Sequence, residues 1–407
     1  MQPLAMLEQQ LWAPAVSEDV RVVLNPEPDP HWRDAEAYRV LPRVASARML
    51  LPDGPRAAVV GSLMNYRGLR RRRENLVRAA LGTAARVGLP FPLPRLAVQV
   101  RAGTTAPGLP LAVLAEALGR EALHASIGVR TGANRKATLQ LVDADGAPAG
   151  YAKFGWNAVA DEFVATEARA LAALVREPGA GMLAPRVLAS LDFHGHPVVV
   201  TEPLPGDVRG SYDDPGPPSP AEIYSLCPVH RSGPIHSTGH YRALVARLDG
   251  LDDGIMHREL GEAVRALTAR TGTLHAPVPV SSRWHGDLTA WNCARDSTGH
   301  LWAWDWESSE TDAVAGLDAL HWDFSDRRLR AHHLADVRLG ECVAAAAPHL
   351  RAAGTPQSLH PAVGAVYVLT VVERAATLAS RNGGWEKVWI SQAALLGLVG
   401  QALTLMG

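Results

Sequence analysis

Within the stretch RWHGDLTAWNCARDSTGHLWAWDWE, residues 283–307, His285, Asp287, Asn292, Asp305 and Glu307 share one short segment with five tryptophans. Carboxylates beside so much apolar surface are costly unless they are paired, hydrogen-bonded or bound to a metal. After Asn292 the residues DSTG have turn character, so the chain should fold back as a hairpin and deliver Asp305 beside Asn292. One carboxylate can orient and deprotonate an attacking hydroxyl, while an amide and a second carboxylate supply hard oxygen ligands for Mg²⁺. That is the set phosphoryl transfer requires. Asp305 is a natural metal ligand next to Asn292, with Glu307 behind it.

A second pair of residues could serve the same chemistry. The helix over 161–176 places Glu167 four residues after Phe163 and four before Leu171, on an apolar, inward face. A carboxylate facing a core needs a partner. Lys153, on the strand just before this helix, is one of three lysines in the chain, with Lys136 and Lys387, against 37 arginines. A compact ammonium kept in so arginine-rich a chain suggests a site that needs one. Taken alone, the Lys153–Glu167 pair reads equally well as an ordinary salt bridge. The D-x-x-x-x-N spacing of Asp287 and Asn292, that of a kinase catalytic loop, favours the phosphate-holding reading.

The elements that must position these residues follow from periodicity. DVRVVLN and ASARMLLP read as strands, RAAVVGSLMN is ambiguous, and RRRENLVRAALGTAARVG is a helix closed by Gly88. A Gly/Pro-rich join, RAGTTAPGLP, comes next. From His124 onward ATLQLV and GYAKF are strands linked by a DADG turn, and two more strands flank the FHGH turn. Residues 207–240, rich in Pro, Gly and Ser, read as a long irregular excursion. Beyond them the chain is helical, with Leu260, Val264 and Leu267 at helical spacing.

Composition excludes several classes. A net charge of -1 gives no global field toward nucleic acid or membrane. Cys227, Cys293 and Cys342 show no paired spacing, which argues against a disulfide framework or zinc ribbon and for a reducing, cytoplasmic setting. The first twenty residues lack a basic n-region, and the apolar C-terminal stretch reads as a buried helix rather than a span. His230, His236 and His240 near Cys227 lack metal-site regularity and read as loop histidines.

With HGDLTAWN, the later DWE, and the upstream lysine and glutamate in this order, the sequence from about 120 to 407 resembles the aminoglycoside phosphotransferase and choline kinase-like family. These are relatives of protein kinases that act on small-molecule acceptors. The resemblance implies an α+β, protein-kinase-like bilobal fold. Residues 119–206 would form a β-rich N-lobe with hinge and 207–407 a mostly helical C-lobe, with 1–118 an extra N-terminal α/β region. It further implies Asp287 as catalytic base, Asn292 and Asp305 as Mg²⁺ ligands, and Lys153, paired to Glu167, as the phosphate-binding lysine. His285 and Asp318 would be structural, and the Glu202–Leu204 backbone would meet the adenine of ATP. The sequence departs from the family in lacking G-x-G-x-x-G. Its phosphate loop is IGVRTGANRKA, where Gly128 and Gly132 stand alone and Arg130, Arg135 and Lys136 offer cations instead. The expected partners are ATP and a small hydroxyl acceptor. From residue 311 on, acids and bases balance at eight each, which favours a sugar or neutral metabolite over a polycation. The rival reading is a kinase-fold protein without net phosphoryl transfer, an adaptor or elimination enzyme in peptide natural-product maturation.

Overall fold

The computed structural model describes residues 3–66, 72–89, 91–104, 108–129, 136–174, 180–208, 215–252, 254–331 and 337–407. The α+β chain divides into two compact units, Met1–Leu174 with Ala184–Tyr212, and Val175–Leu183 with Asp213–Gly407.

The first unit is built on one antiparallel sheet. Its strands are β1 (Val20–Leu24), β2 (Trp32–Leu41), β3 (Met49–Pro52), β4 (Arg95–Arg101), β5 (His124–Gly128), β6 (Ala137–Val142) and β7 (Pro148–Phe154). After the short β8 (Met182–Leu183), which belongs to the second unit, come β9 (Val187–Phe193) and β10 (His196–Thr201). The order across the sheet is β1-β4-β2-β3-β5-β6-β7-β10-β9. The sequence sets residues 1–118 apart from the rest of the chain, yet their four strands extend the same sheet. β3 joins β5 through Met49↔Gly128 and Leu50↔Ile127, and one apolar core runs from Leu4 and Trp12 through Val98 and Ile127 to Val200. Burying that shared face keeps the two segments in one unit.

Helices α1 (Pro3–Leu11), α2 (Arg56–Met64), α3 (Arg72–Arg86), α4 (Pro110–Ala117) and α5 (Ala158–Ala173) complete this unit. The ambiguous RAAVVGSLMN is thus the helix α2. Strand β2 shows the alternation expected of a half-buried strand, with Glu36, Tyr38 and Val40 inward. Glu36 is tolerated there because Trp12 Nε1, Tyr38 Oη and the Leu111 N–H all donate to it at 2.8–2.9 Å; burial pushes its pKa up.

The second unit is mostly helical, with α6 (Pro220–Leu226), α7 (Gly239–Asp249), α8 (Arg258–Gly272), α9 (Leu317–Arg330), α10 (Leu339–Ala353), α11 (His360–Asn382) and α12 (Gln392–Leu405). Strands β11 (Val229–Gly233), β12 (Val278–Trp284) and β15 (Glu310–Val314) form one small sheet; β13 (Cys293–Arg295) and β14 (Leu301–Ala303) form another with β8. The segment 207–240 is therefore less irregular than its composition suggests. Ser219 caps α6 in a reciprocal box with Glu222, and β11 is held by pairing with β12, a tertiary contact that local composition does not encode. Helix α11 is buried over most of its length and packs against α7, α8, α9, α10 and α12. The span Gln357–Asn382 is long and apolar enough to cross a membrane, but 83% of its apolar window is buried inside the protein. Of the histidines near Cys227, His230 bonds Asp312, His236 faces the ring of His275, and His240 packs on Trp284.

Candidate active site

In the second unit β12 ends at Trp284 and releases the chain into His285-Gly286-Asp287. Gly286 has φ +84°, and a Cβ there would lie 2.1 Å from the Ser308 carbonyl oxygen, so only glycine fits. The buried Asp318, in the first turn of α9, accepts hydrogen bonds from the His285 N–H at 2.8 Å and the Gly286 N–H at 3.0 Å. Arg374 of α11 donates to the Gly286 and Ser308 carbonyls and stacks over Trp284. The loop is thus clamped from two helices.

His285 is fully buried against Trp306. Its Nε2 donates to the Trp304 carbonyl at 3.0 Å, and its Nδ1 accepts the Asp287 N–H at 3.2 Å. Those two bonds fix one neutral tautomer. Burial lowers its pKa, against the pull of Asp318 and Asp287. His285 therefore shapes the backbone and does not face outward.

Asp287 keeps about a third of its side chain exposed, at 36%. Asn292 Nδ2 donates to Asp287 Oδ2 at 2.8 Å and to the Asp287 carbonyl at 2.9 Å. Both neighbours are acceptors, so the amide orientation is settled and Asn292 Oδ1 is turned away from Asp287. The Trp304 N–H donates to the Asn292 carbonyl at 2.9 Å, continuing the β13–β14 register of Cys293↔Ala303. Asp305 accordingly follows the residue paired with Asn292, at the end of a hairpin that turns over Asp296–Gly299. Its backbone is left-handed, with φ +69° and ψ +53°, an uncommon state for a non-glycine that clusters at functional sites. A carboxylate oxygen of Asp305 and one of Glu307 lie within 4.8 Å of each other. These acids and the Asn292 amide make a donor set of hard oxygens, which suits Mg²⁺.

One contact had no sequence signal behind it. His321, one helical turn beyond Asp318 on α9, places Nε2 3.0 Å from Asp287 Oδ1, and its Nδ1 lies 3.1 Å from Tyr367 Oη on α11. The i, i+3 spacing of Asp318 and His321 is visible in GLDALHWDF, but nothing in the sequence joins it to a loop 34 residues upstream. Cys293 is buried beneath this loop and donates to the Thr289 carbonyl, and burial pushes its thiol up to about 12, so it keeps its hydrogen.

In the first unit Lys153 Nζ contacts both Glu167 oxygens, at 2.5 and 2.6 Å. Lys153 sits on β7, in register with Thr138 and Val199. Helix α5 starts at an Asn157 cap and turns Ala160, Val164, Glu167 and Leu171 inward. Phe163, expected on that same face, is only half-buried beside it and lies 5.7 Å from Lys136 Nζ. Gly128 ends β5 with no positive φ and no atom within 4 Å of a Cβ, so the backbone does not itself demand glycine there. Gly132, with Arg130 and Arg135, lies outside the described residues. The Glu202 carboxylate accepts from the Arg186 N–H at 3.0 Å and its Nε at 2.9 Å, while the Glu202 N–H donates to the Arg186 carbonyl. Of the expected adenine-facing backbone, that N–H is already used; Leu204 is buried.

No protein-family model matches the sequence, and no curated protein matches it. Among solved structures the chain is similar to WbdD, described as a bifunctional kinase-methyltransferase, including a complex with the kinase inhibitor LY294002. Identity is 15–16% and TM-scores are 0.20–0.22, with 77% of this chain covered. The chain spans about half the length of those structures, 51–52%. Similarity at that level carries no argument about activity.

Proposed function

We propose that the chain is an ATP-dependent phosphotransferase that moves the γ-phosphate to a hydroxyl of a small molecule, such as a sugar, an amino alcohol or an aminoglycoside-like compound. The observation that carries this reading is the bond between Asp287 and Asn292 on one loop, with the Asp305 hairpin returning to Asn292. A second support comes from the first unit. Counted from β5, Lys153 lies on the third strand and Glu167 on the helix after it, the order in which protein kinases place their phosphate-binding lysine and its glutamate. The kinase-like bilobal architecture belongs to the same proposal.

Bound Mg²⁺ would neutralise charge on the transferred phosphate oxygens. Asn292 Oδ1 and the Asp305 carboxylate would hold it, with Glu307 close behind. Asp287 orients the acceptor hydroxyl and takes its proton, since its carboxylate is partly exposed while the loop beneath it is pinned by Asp318 and Arg374. Lys153, held by Glu167, meets the phosphates of ATP. Gly128 and Lys136 flank that anion, and the carbonyl of Glu202 and the backbone of Leu204 meet adenine.

The test is a screen of sugars, amino alcohols and aminoglycosides with γ-labelled ATP, with mass analysis of products and calorimetry of Mg·ATP binding. Asp287→Asn should lower turnover by about 10²–10⁴-fold, the range a general base supplies, and leave Mg·ATP affinity unchanged. Undiminished turnover removes Asp287 as base. If calorimetry shows no Mg·ATP heat and no acceptor is labelled, the reading is wrong. Binding without any labelled product would instead favour a nucleotide-binding protein without transfer.

A further inference from the structure

The Asp287 carboxylate is gripped from both sides. Asn292 donates to Oδ2 at 2.8 Å and His321 approaches Oδ1 at 3.0 Å. We propose that His321 is a positioning residue for Asp287, locked by Tyr367 into the tautomer that carries its hydrogen on Nε2. This rests on the reading of Asp287 as the base, and it deepens that reading by naming what aims the base.

The geometry supports it step by step. An ionised carboxylate only accepts hydrogen bonds, so the ring atom facing Oδ1 must be a donor. In the neutral ring that places the hydrogen on Nε2 and leaves the lone pair on Nδ1, where the Tyr367 hydroxyl at 3.1 Å can donate. Tyr367 is buried, and burial pushes its pKa well above 10, so the phenol keeps its hydrogen. The Ser325 hydroxyl, a further turn along α9, lies 3.4 Å from the same Nε2. The ring is itself held edge-on against Tyr367, with centroids 5.9 Å apart. Asp318, His321 and Ser325 recur at i, i+3 and i+7, so one face of α9 fixes the loop backbone and aims the carboxylate it carries. Two donors on opposite oxygens restrict rotation about χ2 of Asp287. The exposed edge of the carboxylate is then presented in one orientation to an incoming hydroxyl, which lowers the cost of reaching a reactive geometry.

Two measurements test this. The first does not depend on any activity. In protein labelled with ¹⁵N-histidine, the His321 ring, identified by the signal lost in His321→Gln, should show a protonated Nε2 and an unprotonated Nδ1, and Asp287→Asn should shift Nε2. A hydrogen on Nδ1, or a signal indifferent to Asp287→Asn, overturns the proposal. The second uses Mg·ATP with water as acceptor, following release of labelled phosphate. His321→Phe keeps the ring volume and removes the donor; it should lower turnover about 10- to 100-fold, the loss expected for one hydrogen bond to a charged group, with Mg·ATP affinity unchanged. His321→Gln, which returns a donor near Nε2, should recover most of that loss. Equal losses in the two variants would mean packing only, and no loss in His321→Phe while Asp287→Asn is inactive would mean that Asp287 needs no such support; either overturns the proposal. If Asp287→Asn is itself fully active, the catalytic reading fails and the ring spectrum still decides whether His321 serves Asp287. Should His321→Phe fail to fold, Tyr367→Phe replaces it, expected to shift the Nδ1 signal by removing its hydrogen-bond donor; an unchanged ring spectrum there refutes the lock.

Discussion

Replacing Lys153 by methionine isolates the energetic weight of the Lys153–Glu167 pair. Glu167 is 2% exposed and Lys153 14% exposed, and the ammonium lies within hydrogen-bonding distance of both carboxylate oxygens. Screening by water is therefore weak, and removing the cation strands a carboxylate between α5 and the sheet. Breaking a buried pair from one side costs about 3–5 kcal/mol, whereas replacing both partners by apolar groups of similar volume is often close to neutral. In a unit of about 200 residues, each kcal/mol moves the melting temperature by about 2–4 °C. Lys153→Met should thus lower it by about 6–20 °C, while the double variant Lys153→Met/Glu167→Leu should recover most of that. Differential scanning calorimetry of wild type, both single variants and the double variant gives the coupling energy. A single variant melting within about 2 °C of wild type, or strictly additive losses, would refute the claim that the two groups satisfy each other in a dry environment. In the proposed enzyme the double variant should also lose Mg·ATP binding despite its restored stability, since the ammonium itself meets phosphate.

Two further outcomes concern the second unit. Gly286→Ala must either change φ from +84° or push the Ser308 carbonyl away, so a loss of about 2–4 kcal/mol is expected; a urea midpoint equal to wild type would contradict that crowding. His240 is fully buried beside Trp284, 3.7 Å from Glu310, and burial lowers its pKa from 6.5 to about 4. Because its folded value is depressed, the unfolded chain binds the proton first as pH falls. The His240 contribution is therefore complete above about 6.5 and is lost between about 6.5 and 4, amounting to about 3 kcal/mol. Urea unfolding across that window should show a shallower acid loss in His240→Phe than in wild type, and identical slopes would assign the acid sensitivity elsewhere.

How much of the molecule is legible depends on sequence distance. The Asp287–Asn292 bond and the hairpin back to Trp304 span few residues, so turn chemistry and spacing foreshadow them. Strand β4 escapes a local reading because both its faces are buried, which removes the alternation. Strand β2 does alternate, but one of its inward positions is Glu36, which reads as solvent-facing until Trp12, Tyr38 and Leu111 are seen to donate to it. The sheet that joins residues 1–118 to the rest depends on two residue pairs between β3 and β5, and no local pattern announces such pairing.

By itself the sequence determined which groups were available for chemistry: the acids and amide of one short segment, a scarce lysine and the helix glutamate that faces it. Periodicity decided this, since a carboxylate on an apolar face must find a cation. The tertiary structure alone decided how the Asp287 loop is held, by Asp318 and His321 from α9 and by Arg374 and Tyr367 from α11. Those contacts link residues 32 to 88 positions apart, where the partner is set by which helix faces pack together and not by any spacing along the chain.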